Sequence, residues 1–433
     1  MTNQSQEKNQ MLFTINSKQF ATALAQAAIV ATKGFKRDHD DAKKITLNME
    51  GDELTVMANG GYVAIATKVR VSPPVTTGSI TLRDAILLER TVASFPPSSQ
   101  LVCETFAPAN LRSLAILHLR IRDISGGVVH TLEGGSTPVI MPTPLKKAKG
   151  KFQISRSEFM NAAQVVKAVG WEKHNPEFMH WVLRVRLDGY RAAAGCGARF
   201  LVQEKEGRGV VQCRTSHDLI LLGQQTQTLV STLGKIQAEQ LKVRDSACAA
   251  LDQAIFKADN TTIYLIGQDS GIKWPDENKF LQRLSPYRFV CKLSDWAAAM
   301  KGVKASYDAK HRKANQLHFV TLTLDPTQRT ARLESSGAQS LKFEQIIPLC
   351  DLQVPVGSPP FVFVTLSQPM TDIPTIGKPH DYIQLEFVAE KKPMVVRFSS
   401  APFIQDDFWV RDEGTMTRQC TTTFFASIER KTK

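Results

Sequence analysis

Leu12-Phe-Thr-Ile-Asn-Ser-Lys-Gln-Phe20 begins with short apolar alternation and passes into an alanine-rich stretch ending near Thr32. A change of apolar period from two to 3.6 within one segment marks a strand feeding directly into a helix. Asn16 or Ser17 can supply the N-cap oxygen, and Phe20, Leu24, Ala27 and Ala28 recur at helical spacing. Three strands follow. They are Lys44-Ile-Thr-Leu-Asn-Met-Glu50, Leu54-Thr-Val-Met-Ala58 and Tyr62-Val-Ala-Ile-Ala-Thr-Lys-Val69, separated by turns at Gly51-Asp52 and Asn59-Gly-Gly61. Such Gly-Asp and Asn-Gly pairs are what tight hairpins require, so this stretch reads as one βαβββ unit.

The same order restarts at Ser79-Ile-Thr-Leu82, with a helix over 83–93 and strands near 100–105, 114–121 and 128–132. It restarts again at Phe152-Gln-Ile-Ser155, with a helix to Val169 and strands near 181–187, 190–194 and 198–204. A fourth unit opens at Val211-Gln-Cys213, with a helix from about His217 to Leu233, and a fifth at Tyr287-Arg-Phe-Val-Cys-Lys292, with a helix over 295–305. The sixth opens at Phe361-Val-Phe-Val364, where Pro369 and Pro374 interrupt a short helical part. Phe13, Ile80, Phe152, Gln212, Phe289 and Phe363 as equivalent starts lie 67, 72, 60, 77 and 74 residues apart. Six copies of one supersecondary module give an α+β fold. Taken in pairs they make three domains, over residues 11–133, 150–286 and 287–433. Residues 134–149, rich in Gly, Pro and Lys, form the linker after the first.

Composition agrees with this division. At roughly 100–200 residues per domain, 433 residues predict two to four domains. A hydrophobic fraction of 42% and a charged fraction of 22% are those of a soluble globular chain. No apolar run approaches the roughly 20 residues of a membrane span, and the polar first ten residues lack the core of a secretory signal. Seven scattered cysteines, never in a C-x-x-C pair, speak against a zinc site or a disulfide framework and for the cytoplasm.

Catalytic chemistry is sought without success. There is no P-loop and no H-E-x-x-H. Gly195-Cys-Gly-Ala-Arg-Phe200 departs from a dinucleotide fingerprint in its last position and falls at a strand-to-strand turn. Asp38-His-Asp-Asp41 lacks the further ligands and turn glycine of a metal loop. The reading is a non-enzyme without cofactor or metal.

Charge is the positive signal. Lys and Arg number 54 against 41 Asp and Glu, a net +13. The excess is +5 over residues 11–150, +4 over 151–286 and +4 over 287–433, so no single tail accounts for it. Cations also recur just after the first helix of each domain. They are Lys33, Lys36 and Arg37 in the first, Lys167 and Lys173 in the second, and Lys301, Lys304, Lys310, Arg312 and Lys313 in the third. Cations at one structural place in three similar modules suit a phosphate-tracking surface that reads no bases. Helix C-termini also favour Lys and Arg through the helix dipole, which is the alternative.

Several short motifs, in order along the chain, resemble the bacterial DNA sliding clamp, the β subunit of the replicative polymerase. Leu12-Phe-Thr-Ile with its helix, followed by Gly51-Asp-Glu-Leu-Thr-Val56, is similar to the family's opening. Asp188-Gly-Tyr-Arg-Ala-Ala-Ala-Gly-Cys-Gly-Ala-Arg-Phe200 resembles its second-domain T-D-G-H-R-L stretch, and Pro286-Tyr-Arg-Phe-Val290 its D-Y-R-R-V. Phe424-Phe-Ala-Ser-Ile-Glu-Arg430 stands where the family ends in V-V-M-P-M-R-L.

The resemblance implies a head-to-tail homodimer ring with helices inside and sheets outside, encircling double-stranded DNA. It would tether DNA polymerase and the clamp loader through short peptide motifs. The partner-peptide pocket would fall on Met179, Gly197, Arg199, Phe200, Ser285, Val290, Ala426, Ser427 and Ile428. Ser285 replaces a proline of the family and Ala426-Ser427 a Met-Pro pair, and clamps of this family are usually acidic. The alternative keeps the fold without the ring, as a clamp-like protein binding nucleic acid through its basic surface.

Overall fold

The computed structural model describes residues 10–33, 43–107, 117–135, 137–143, 150–169, 180–196, 199–246, 253–266, 285–306, 319–336, 342–366, 381–387, 394–406, 410–412 and 415–423. Its helices are α1 (Ser17–Lys33), α2 (Ala85–Ala93), α3 (Arg156–Val169), α4 (Gly223–Leu233) and α5 (Leu293–Ala305). The chain packs as two compact units, Met1–Met160 with Val211–Gly271, and Asn161–Val210 with Ile272–Lys433.

The first unit is built on a continuous antiparallel path of fourteen strands. Its opening repeat follows the expected pattern. Leu12–Asn16 leads into α1, and Asn16 Oδ1 accepts the amides of Lys18 and Gln19 at 3.1 and 3.3 Å. That satisfies two donors the first turn otherwise leaves open. Phe20, Ala23, Leu24, Ala27 and Ala31 bury one stripe of α1. The three strands Ile45–Glu50, Glu53–Asn59 and Val63–Arg70 form a meander in which Leu54, Val56 and Ala58 point inward at every second position. α2 is capped by Asp84, whose Oδ1 accepts Ile86 N and Leu87 N. Both α2 and α4 pack against α1.

Two repeats join edge to edge inside this unit. Val63–Arg70 pairs with Thr261–Ile266, with Ile65 opposite Ile263. Ser72–Thr76 closes the other end of the path, where two prolines cost no ladder bonds on the outer side. The fourth repeat corrects the sequence expectation. Residues His217–Leu222 are a strand and the helix begins only at Gly223. Leu219 and Leu221 are buried while Asp218 and Ile220 are exposed, a period of two that the apolar run concealed. The opening strand expected at Val211–Cys213 is present, whereas the three-residue strands at Asp351–Gln353 and Val410–Asp412 were not expected, being too short to show a period.

The second unit carries two sheets. One runs His180–Arg186, Gly189–Cys196, Arg199–Gly207, Thr415–Thr423, Met394–Ser399, Tyr382–Phe387, Tyr287–Lys292 and Asp351–Gln353. The other is Lys342–Pro348, Thr330–Ser336, Phe319–Asp325 and Phe361–Leu366. One core gathers Phe289, Trp296, Met300, Leu322, Leu333 and Phe387 from both sheets and α5. Phe387 meets Phe363 edge-on at 4.6 Å between ring centroids, an interaction worth about 1 kcal/mol beyond its area. The sixth repeat's interrupted helical part lies outside the described residues.

Candidate nucleic-acid interface

Three of the helix-borne cations are described with their side chains. Lys33 is exposed in the last turn of α1. Lys301 and Lys304 are exposed on α5, three residues apart and so on one face, while Trp296, Ala299, Met300 and Val303 bury the other. Amphipathicity therefore turns these lysines away from the core. Lys167 belongs to α3. Its side chain lies outside the described residues, as do Lys36, Arg37, Lys173, Lys310, Arg312 and Lys313.

Of the partner-pocket positions, Met179, Gly197, Ala426, Ser427 and Ile428 lie outside the described residues, and Arg199 is described only as the first residue of its strand. Phe200 is buried in a small cluster with Ala193, Val202 and Val395. Val290 is fully buried on the sheet face opposite Phe289, and the buried Ser285 Oγ accepts Tyr287 N at 3.3 Å. Phe200 and Val290 belong to neighbouring cross-strand rows. One row runs Phe200, Thr422, Val395, Glu386, Arg288, and the next Val202, Cys420, Arg397, Gln384, Val290. Four strand spacings, about 19 Å, separate the strands of Phe200 and Val290.

Buried polar groups stand on the strands Met394–Ser399, Tyr382–Phe387 and Tyr287–Lys292. Arg397 Nε donates to Glu386 Oε1 at 2.9 Å, with both side chains 1% exposed. Gln384 Nε2 donates to the same oxygen at 3.0 Å, and Gln384 Oε1 accepts Gln405 N at 2.9 Å. Arg288 reaches Asp406 at 2.5 Å and Gln353 at 2.6 Å. Burial raises the Glu386 carboxyl above its ordinary range, against the opposing pull of Arg397, Gln384 and Arg288. Its Oε2 is buried and has no hydrogen-bond partner among the described residues. Along the same sheet Arg191 and Glu204 form a second buried ion pair, with Arg186 3.8 Å from Glu204. Removing one member of the Arg191–Glu204 pair should cost about 3–5 kcal/mol, because the other charge is left buried.

No protein-family model matches the sequence, and no curated protein does. Solved structures match it over nearly its whole length. A DNA polymerase sliding clamp from Pseudomonas aeruginosa superposes with a TM-score of 0.73 at 13% identity, covering 97% of this chain and 100% of that one. The DNA polymerase III β subunit of Thermotoga maritima gives 0.73 at 12% identity, covering 97% and 99%. The Bacillus subtilis sliding clamp gives 0.71 at 15% identity, covering 97% and 100%. This chain has the sliding-clamp fold.

Within the clamp fold, the α+β class and the repeated-module architecture read from the sequence hold. Among the described residues no group of three or more His, Cys, Asp or Glu is arranged to hold a metal ion, and no helix is long and apolar enough to cross a membrane. The Asp38–Asp41 cluster lies outside the described residues. One cationic surface of this clamp-fold chain was missed in the sequence. A cleft of about 1010 Å³ in the first unit is lined by Lys151, Arg214, Lys242, Arg244 and Lys257. Its residues come from separate segments scattered between Lys151 and Lys257, so only sheet register reveals it.

Proposed function

We propose that this protein is a DNA sliding clamp. It would encircle duplex DNA as a homodimer ring and tether polymerase, clamp loader and other partners, with no catalysis of its own. The observation that carries this reading is the clamp fold across 97% of the chain. The exposed lysines at the ends of α1 and α5 and the net +13 support it. Diffuse attraction to phosphates lets a ring slide, because sequence-independent contacts hold the duplex without fixing a register. Each protomer would contribute three domains, residues 11–133, 150–286 and 287–433. A head-to-tail contact that closes after two copies is a permitted symmetric assembly. Phe200, Ser285 and Val290, with Met179, Gly197, Arg199, Ala426, Ser427 and Ile428, would form the pocket for partner peptides. A soluble protein working in the cytoplasm accords with this role.

The test is topological. Loaded onto nicked circular duplex, the protein should stay bound through gel filtration at raised salt and leave when the circle is linearised. Sedimentation should give a dimer at micromolar concentration. The net +13 favours a second reading, in which the same fold binds nucleic acid directly without closing a ring. Equal retention on linear and circular duplex, with steep salt dependence, would establish that alternative.

A further inference from the structure

Lys151, Lys242 and Lys257 are exposed along the basic cleft of the first unit, on the sheet face opposite the buried row Phe152, Val243 and Phe256. Register fixes how the charges meet. Lys242 sits directly across from Lys257 on adjacent strands, and Lys151 directly across from Arg244. Like charges directly opposite in an antiparallel pair destabilise a sheet. Here Lys242 and Lys257 form such a pair, and among the described residues that line the cleft none is a carboxylate. An anionic ligand would convert the repulsion between Lys242 and Lys257 into attraction.

The rest of the lining narrows the anion. The Lys151–Arg244 row continues through Ile255 to Tyr264, whose side chain is half-buried and borders the cleft. The Lys242–Lys257 row is extended by Gln153 and Gln212 on one side and Thr262 on the other. An aromatic ring among cations and amides on a sheet face is the chemistry of single-strand recognition, where phosphates track the charges and bases stack on the ring. Rows two residues apart along the strands are spaced by about 6.7 Å, which suits an extended backbone. A cleft of about 1010 Å³ has room for a few nucleotides of one strand.

We propose that this cleft binds single-stranded DNA. The choice of DNA rests on the sliding-clamp reading above. None of the helix-end lysines is among the residues that line the cleft.

Fluorescence anisotropy with labelled oligothymidylate and the full-length protein tests the proposal. Lys242→Gln with Lys257→Gln should weaken binding at least tenfold. The slope of log affinity against log salt should become shallower by about 1.4, or about 0.7 for each phosphate no longer neutralised. Tyr264→Leu, which keeps much of the apolar bulk and removes the stacking surface, should weaken binding at least fivefold. Both variants should melt like the wild type and be retained on nicked circular duplex as before. A failure of the ring reading shows instead as lost retention with oligothymidylate binding intact. The proposal is overturned if the lysine variant keeps its affinity and salt slope, or if Tyr264→Leu binds like the wild type. It is equally overturned if oligouridylate binds as tightly, or if an oligoglutamate peptide displaces the DNA at lower concentration.

Discussion

The side-chain oxygen of Gln26 accepts the Thr67 hydroxyl at 2.9 Å, joining α1 to the sheet strand Val63–Arg70. Thr67 stands directly opposite Thr261 across the seam where two repeats pair, and Thr261 Oγ1 lies 3.3 Å from the same Gln26 oxygen. Gln26 Nε2 donates to the Lys235 carbonyl just beyond α4 at 3.3 Å. One amide therefore serves a helix, two strands and a loop from a position only 4% exposed. A buried polar group with several partners specifies register more sharply than apolar packing does.

Replacing Gln26 by Leu roughly keeps the volume and removes every one of these bonds. The Lys235 carbonyl loses its donor, while the two threonine hydroxyls, 3.3 Å apart, can still bond each other. The expected loss is about 2 kcal/mol, near the middle of the range for stranding a buried polar group. Urea denaturation of the variant checks it, and a loss below about 0.5 kcal/mol would show that the node is ornamental.

Glu386 makes a prediction about pH. Burial raises its folded-state pKa, and Arg397, Gln384 and Arg288 offset this only in part. The folded chain thus holds the proton more tightly than the unfolded chain, for which the ordinary value is 4.5. Its stabilising contribution is complete below that value and is lost as pH rises through the raised folded value. Gln mimics the protonated carboxyl. Glu386→Gln should accordingly match the wild type in acid and gain relative stability as pH rises. Denaturation midpoints between pH 4 and 8, followed by tryptophan fluorescence, decide the matter. A variant that instead loses about 3–5 kcal/mol at neutral pH would mean that the Arg397 ion pair outweighs desolvation.

Gly302 reverses an ordinary rule. In a helix interior Ala is better than Gly by about 1 kcal/mol. A Cβ at Gly302 in α5, however, would overlap the ring of Phe343, and Phe343 packs against the core. Gly302→Ala should therefore destabilise the protein, by about 1–2 kcal/mol once overpacking is set against propensity. Adding Phe343→Leu should restore part of the loss, and thermal melts of the single and double variants test both.

Local periodicity made most of the fold legible. Leu54, Val56 and Ala58 alternate around a Gly51-Asp52 turn, and Asn16 announces its helix with a capping oxygen. Such signals live within a few residues. His217–Leu222 misled because a short apolar run fits either period until burial separates Leu219 and Leu221 from Ile220. The cross-strand row from Arg288 to Phe200 and the basic cleft were illegible for another reason. Lys151 and Arg244 look like ordinary surface residues of two strands, and only the pairing of those strands sets one against the other. Site chemistry in a repeat fold is written in cross-strand register, which no single segment displays.

That register yields a last expectation about stability and binding together. Lys257→Glu turns the repulsive Lys242–Lys257 pair into an attractive one at the same place in the sheet. The change should stabilise the first unit by about 0.5 kcal/mol, within the range measured for opposite charges across antiparallel strands. The gain should shrink in 1 M salt, where the screening length falls to about 3 Å. Oligothymidylate binding should weaken in the same protein, because a carboxylate now stands where a phosphate would lie. Urea midpoints at low and high salt, beside anisotropy titrations, measure the two effects independently. A variant that is less stable than the wild type at low salt would show that the facing lysines do not strain the sheet, and would remove the energetic argument for an anion in the cleft.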